Sequence, residues 1–155
     1  MQSVKINFTM TKIKVKNLDK SFEQYGRIIK PFNEGPAEQG KGWDFYMLSK
    51  SKSDGWRIGY LIQTSKEVNY LEKHPKSKET FEPIEGVGII LLSLGDKIDA
   101  YLLDKPIILN EGVWHALVAL SERVKIKISE NLEVEKITRP IKPPRLIIPT
   151  SAKEL

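Results

Sequence analysis

The chain contains two histidines, and each lies in a segment whose neighbours could share chemistry with it. The first segment, Tyr70 to Gly86, holds Glu72, His74 and Glu79. The second, Asn110 to His115, brings Trp114 and His115 some thirty residues later. On an extended backbone, residues two apart project from one face, so Glu72 and His74 can enter the same pocket. Two imidazoles and two carboxylates suit a divalent metal such as Zn, Mn, Fe or Ni with open positions for a ligand. In an elimination, His74 or His115 can act as the base near neutral pH, and Glu72 or Glu79 as the acid or a metal ligand. Lys73, Lys76 and Trp114 are the candidate substrate contacts, the lysines as attractors of a small anion. Plainer roles exist for each group. His74 precedes Pro75 in a charged stretch that suits a surface, and His115 suits a hydrogen-bonded core position. Glu82, Glu85 and the two lysines suit solvated faces.

The elements that must position these residues read as short strands. Val4, Ile6 and Phe8, then Ile13 and Val15, alternate with polar neighbours across residues 4–16. Asp19 can cap a short helix that carries Phe22 and Tyr25 and stops at Gly26. A short strand follows at 27–31, and a loop at 33–42. Segments 44–49 and 56–63 form a plausible hairpin across the turn at 50–55. Further strand signals fall at 68–71, 88–94, 99–103, 106–109 and 117–120. Residues 111–123 also satisfy a helical stripe. Segment 125–129 alternates strictly and is expected to pair with 132–137 across Glu130 and Asn131. The prolines of residues 139–149 exclude a helix there. Residues 139–155 therefore read as an extended arm, lying on a sheet edge or on a second subunit. Many short strands with turn residues between them point to an all-β barrel or double-sheet jelly roll.

Size and composition narrow the function classes. At 155 residues, with 40% hydrophobic and 29% charged residues, the expectation is one domain spanning 1–155 with a sizeable core. The absence of cysteine excludes disulfides, a thiol nucleophile and thiolate zinc sites, and fits a reducing compartment. No apolar run approaches the roughly 18 residues of a membrane span. The first residues show no signal-peptide pattern, so the cytoplasm is the expected location. The net charge of +5 comes from lysines interleaved with Glu and Asp, without the basic element and stacking aromatics of a nucleic-acid binder. No nucleic-acid or membrane partner is expected.

The spacing of Glu72, His74, Glu79 and Gly86, followed by Gly112 and His115, resembles the two motifs of the cupin superfamily. The first motif reads His-x-His, three or four residues, Glu, six residues, Gly; the second places His three positions after Gly. Here Glu72 stands at the first His position. A closer resemblance is to the ureidoglycolate lyase family. Leu71-Glu72-Lys73-His74-Pro75, then Ser77 and Phe81-x-Pro83, are similar to its Leu-Glu-Arg-His-Pro…Ala-Phe-Ile-Pro signature. Val113-Trp114-His115 is similar to its Val-Trp-His, and Phe22-x-x-Tyr25-Gly26 with Ile28-Ile29 to its N-terminal segment. Together the matches run from about residue 18 to 120.

The resemblance implies a cupin-type double-stranded β-helix with one short N-terminal helix, and a strand rather than a helix near 117–120. It also implies a homodimer that cleaves ureidoglycolate to glyoxylate and urea, with Glu72, His74 and His115 lining the pocket. Glu79 falls where the family usually has Gln. Ala116 replaces a second His, Leu109 a Tyr, and Gln63 or Thr64 stands near the position of an Arg. Those three losses remove donors that would hold a carboxylate. They leave open a second reading: a non-catalytic cupin that binds a small polar ligand, a carboxylate or sugar, as a sensor or accessory protein.

Overall fold

The structure is a computed structural model, and it describes residues 10–31, 33–41 and 43–149. The strands in chain order are β1 (Lys12–Lys16), β2 (Gly26–Ile28), β3 (Glu38–Gly40), β4 (Trp43–Phe45), β5 (Trp56–Gln63), β6 (Tyr70–Lys73) and β7 (Glu79–Glu85). They continue as β8 (Gly88–Ser93), β9 (Ile98–Leu103), β10 (Ile107–Leu109), β11 (Trp114–Ala119), β12 (Val124–Asn131), β13 (Ile137–Pro140) and β14 (Arg145–Ile147). One 3-10 helix, Lys20–Gln24, follows β1 and is capped by the Asp19 side chain, which accepts from Ser21 N–H.

Seven strands form one sheet in the order β13-β6-β11-β8-β9-β1-β14, and five form a second in the order β2-β10-β7-β12-β5. This interleaving of strands distant in sequence makes the fold an all-β, cupin-type jelly roll. The main core lies between the sheets. Ile90, Leu92, Tyr101, Leu103 and Leu117 face Phe81, Ile107, Leu109, Val124 and Ile126 across it, and Phe22 and Tyr25 close one side.

A second apolar cluster covers the outer face of the larger sheet. Val15, Leu71, Ile89, Leu91, Ala100 and Val118 lie there, overlaid by Ile141, Leu146 and Ile148 from the proline-rich arm. Buried on both faces, β8 reads Gly-Ile-Ile-Leu-Leu-Ser without alternation. The arm joins both edges of its own sheet: β13 pairs with β6, and β14 runs parallel to β1.

Several pairings differ from expectation. Segment 56–63 does not form a hairpin with 44–49. All eight residues of β5 pair with β12, from Gln63 opposite Val124 to Trp56 opposite Asn131. That register places Leu61 with Ile126 and Ile128 on the core face, burial that a local hairpin would forgo. Trp43–Phe45 pairs instead with Glu38–Gly40, inside the expected loop. Nor does the chain turn back at Glu130 and Asn131, because β12 runs through both, and 132–137 does not pair with it. Trp114–Ala119 is a strand, which removes the helical alternative for 111–123.

Gly26 opens β2 rather than ending the helix in a left-handed cap. A Cβ there would lie 1.9 Å from the Ile108 carbonyl oxygen, so the close approach of β10 requires glycine. The first part of the expected strand at 4–16, and residues 150–155 of the arm, lie outside the described residues.

Candidate functional site

The site begins with the pairing of β6 and β11, which sets Glu72 directly opposite His115. His74 follows the last residue of β6, so Glu72 and His74 reach the same side. After a turn at Pro75 and Lys76, β7 starts with Glu79, whose side chain points back between the two imidazoles. His115 Nε2 lies 3.0 Å and His74 Nε2 3.2 Å from Glu79 Oε2. Glu72 Oε1 stands 3.6 Å from His115 Nε2. The rings are tilted, with centroids 5.2 Å apart. His74, Glu79 and His115 are all buried, and Glu72 is the member most open to the outside.

Each imidazole is held from behind. His74 Nδ1 lies 3.0 Å from the Glu135 carbonyl oxygen, and His115 Nδ1 2.9 Å from that of Val113. A carbonyl only accepts, so each Nδ1 carries the hydrogen and donates it. In the neutral tautomer both Nε2 atoms then present lone pairs to the cluster. In that tautomer His115 Nε2 and Glu79 Oε2 have no hydrogen-bond partner despite their separation, and Glu130 Oε2 has none either. Buried donor atoms whose free electron pairs converge are the arrangement a cation satisfies, with backbone carbonyls orienting the ligating rings.

Glu130 escaped the sequence reading, which placed it in a turn. It pairs opposite Glu79 on β12, and its Oε2 lies 4.0 Å from His74 Nε2. Arg57 on β5 grips its other side, with Nη2 2.7 Å from Oε1. The available signal was the alternation of Lys125, Ile126, Lys127 and Ile128: continued two residues further, it points Glu130 inward. Two sets can hold a metal among the described residues: Glu72, His74 and His115, and His74, Glu79 and Glu130.

Electrostatics within the cluster run strongly one way. Burial pulls the His115 imidazolium down, but Glu72 and Glu79 outweigh it and raise its pKa. His74 is raised against burial chiefly by Glu79. Burial pushes Glu79 up, yet His115 and His74 hold its pKa below the ordinary value. The imidazole of His115 beside it, with Lys136 assisting, brings Glu72 down to about 2. The carboxylates thus favour the protonated form of both imidazoles, a positive charge at the place a cation would take.

A cavity of about 310 Å³ opens onto this cluster, with Glu72, Glu79 and His115 at its base. Leu61, Phe81, Leu117 and Ile128 give it apolar walls, and Gln63, Asn69 and Tyr70 supply polar ones. Among the described residues no lysine or arginine lines it.

The three candidate substrate contacts are not brought to this cavity. Lys73 points away from Glu72, as strand alternation requires, and its Nζ sits 4.6 Å from the Trp114 ring centroid. Trp114 alternates away from His115 and packs with the outer cluster, with Arg139 stacked 4.7 Å from the same ring. Lys76 is exposed in the turn. Leu109 is buried in the main core, whereas Ala116 borders the cavity. Glu85 is exposed and paired with Lys125, and Glu82 is half-buried beside Lys127.

No family profile matches the chain, and no curated protein matches it. Solved structures resemble it in shape. A sugar 3,4-ketoisomerase from Thermoanaerobacterium thermosaccharolyticum, in complex with TDP, is 16% identical with a TM-score of 0.46, covering 52% of this chain and 64% of that one. A cupin 2 domain-containing protein from Halorhodospira halophila is 12% identical with a TM-score of 0.42, covering 67% and 64%. A vicilin from Solanum melongena is 16% identical with a TM-score of 0.45, covering 56% and 24%. The chain thus spans less than two thirds of the length of each of these proteins. The fold rests on the strand order and the site on its own geometry. Among the described residues no helix is long and apolar enough to cross a membrane.

Proposed function

We propose that this chain is a metal-dependent cupin acting on a small hydroxy acid, as a lyase of the ureidoglycolate type. The observation that carries the metal assignment is the pair of imidazoles tied at Nδ1 to backbone carbonyls, with Nε2 aimed at carboxylates they do not all hydrogen-bond. His74 would hold a divalent ion together with Glu79 and Glu130, or with Glu72 and His115. Bound there, the ion would polarise a hydroxyl or carboxylate oxygen of the substrate. Among the described residues no lysine or arginine lines the cavity, so an ion there would add counter-charge for a carboxylate substrate.

The protein's own part is orientation and proton handling. Leu61, Phe81, Leu117 and Ile128 exclude water from one side of the substrate. Cleavage breaks the carbon–nitrogen bond as the hydroxyl proton leaves, forming the glyoxylate carbonyl, while the departing urea nitrogen gains a proton. Glu72, the carboxylate most open to the cavity, would take the first proton, as a weak base given the pull of His115 and Lys136. Tyr70 on the cavity wall would give the second.

A specific feature favours the binding alternative. Ala116 and the absence of Arg and Lys among the described lining residues leave the cavity without a strong cationic donor, which suits a ligand-binding cupin whose ion would anchor a carboxylate or sugar. Metal analysis of the purified protein, together with urea release from racemic ureidoglycolate, separates the readings. Bound metal with urea release abolished by His115→Ala supports the lyase. Bound metal without urea release leaves the binding role, and protein that takes up no divalent ion removes both.

A further inference from the structure

We propose that the outer face of β5 is a two-fold interface with a second copy of this chain. Along β5, Trp56, Ile58, Tyr60 and Ile62 all point outward and are exposed by 68%, 56%, 59% and 54%. A sheet face open to water ordinarily alternates apolar-in and polar-out. Here the outward set is wholly apolar, while the inward set (Arg57, Gly59, Leu61 and Gln63) faces Glu130, the core and the cavity. The pattern is inverted on the side that should be wet, and no described residue covers it.

The stripe is complementary to itself. An axis through Gly59 places Trp56 of one copy against Ile62 of the other, and Ile58 against Tyr60. Every contact then joins an aromatic ring to a β-branched side chain, a favourable pairing. At about 150–250 Å² per large side chain, the exposed fractions leave on the order of 500 Å² of apolar surface. That is more than half of the roughly 800 Å² per partner that a stable interface buries. The flank of the stripe does not repel a second copy. Lys125 and Lys127, opposite Ile62 and Tyr60 on β12, are neutralised within the sheet by Glu85 at 2.7 Å and Glu82 at 3.5 Å. This leaves an apolar centre with a charge-balanced rim.

The interface would also brace the site, because the same strand carries Arg57, which grips Glu130, and two walls of the cavity.

Sedimentation equilibrium of the full chain tests the proposal. The wild type is expected to dimerise, and Ile58→Lys with Tyr60→Lys to weaken dimerisation at least ~30-fold while retaining a cooperative thermal melt. A second measurement does not depend on that double variant folding. The chain has no cysteine, so mixing Ile58→Cys and Tyr60→Cys proteins under mild oxidation should give the mixed disulfide in excess of either homodimer. A wild type that stays monomeric at high micromolar concentration overturns the proposal. So does a dimer whose affinity the lysines leave unchanged, or random disulfide pairing.

Discussion

Glu79 is the residue on which the cluster turns, because among the described residues it alone comes within 3.2 Å of both imidazoles. Changing it to Gln keeps the shape but removes the charge a cation needs. Glu79→Gln is expected to lower divalent-metal affinity at least ~100-fold in a competitive chelator titration, whereas Lys136→Ala, which touches only Glu72 at the rim, should change it by less than ~3-fold. Equal effects would place the metal elsewhere. Arg57→Leu frees Glu130 and should cost about 10–100-fold in the same titration, acting through orientation of a neighbouring carboxylate. At this scale much was legible beforehand. The spacing of Glu72, His74 and Glu79 in one segment, with His115 as the other histidine, sufficed to group four residues that the structure brings together. Glu130 was not legible as a member, since its pairing partner Glu79 is contributed by a strand some fifty residues earlier. Lys73 and Trp114 were misplaced for a different reason. Adjacent residues on a strand face opposite ways, so neighbours of Glu72 and His115 in sequence point away from the cavity.

Among the elements, β5 shows where sequence reading ran out. A turn-rich stretch at 50–55 between two strand-like segments carries the local signature of a hairpin. The winning partner, β12, lies about sixty residues away and is selected by burial of Leu61, Ile126 and Ile128 together. Local turn chemistry cannot report such a long-range choice. Gly26 makes the same point on a smaller scale: glycine at a helix end suggested a left-handed cap, but the constraint is the Ile108 carbonyl oxygen across a strand pair. Gly26→Ala is therefore expected to cost about 2–4 kcal/mol in urea unfolding, through forced separation of β2 from β10. A loss under ~1 kcal/mol would mean that the two strands part easily. The metal titration should not move, since neither strand carries a member of the cluster.

For the whole molecule, stability is divided between the inter-sheet core, the arm-covered outer face and a buried polar network under the 3-10 helix. In that network Tyr25 donates to Asp99 Oδ2, Lys16 Nζ lies 3.2 Å from Asp99 Oδ1, and the Ser21 and Tyr101 hydroxyls are 2.8 Å apart. None of this was readable from composition, because the partners sit 74 to 83 residues apart in the chain. Burial pushes the Asp99 carboxyl up, but Tyr25 and Lys16, with Lys97 beyond them, hold its pKa below the ordinary value. A carboxyl lowered by folding stabilises the native state above its unfolded pKa of about 3.9, and that contribution is lost as the pH falls through the folded value. Tyr25→Phe removes the phenolic donor and should cost about 1–3 kcal/mol near pH 7, where Asp99 is fully charged. As acid protonates Asp99 in wild type and variant alike, the gap must narrow below about pH 4. Urea midpoints at pH 7, 5 and 3 measure it: a gap as wide at pH 3 as at pH 7 would mean that Tyr25 stabilises by packing against Phe22 and Tyr101 alone.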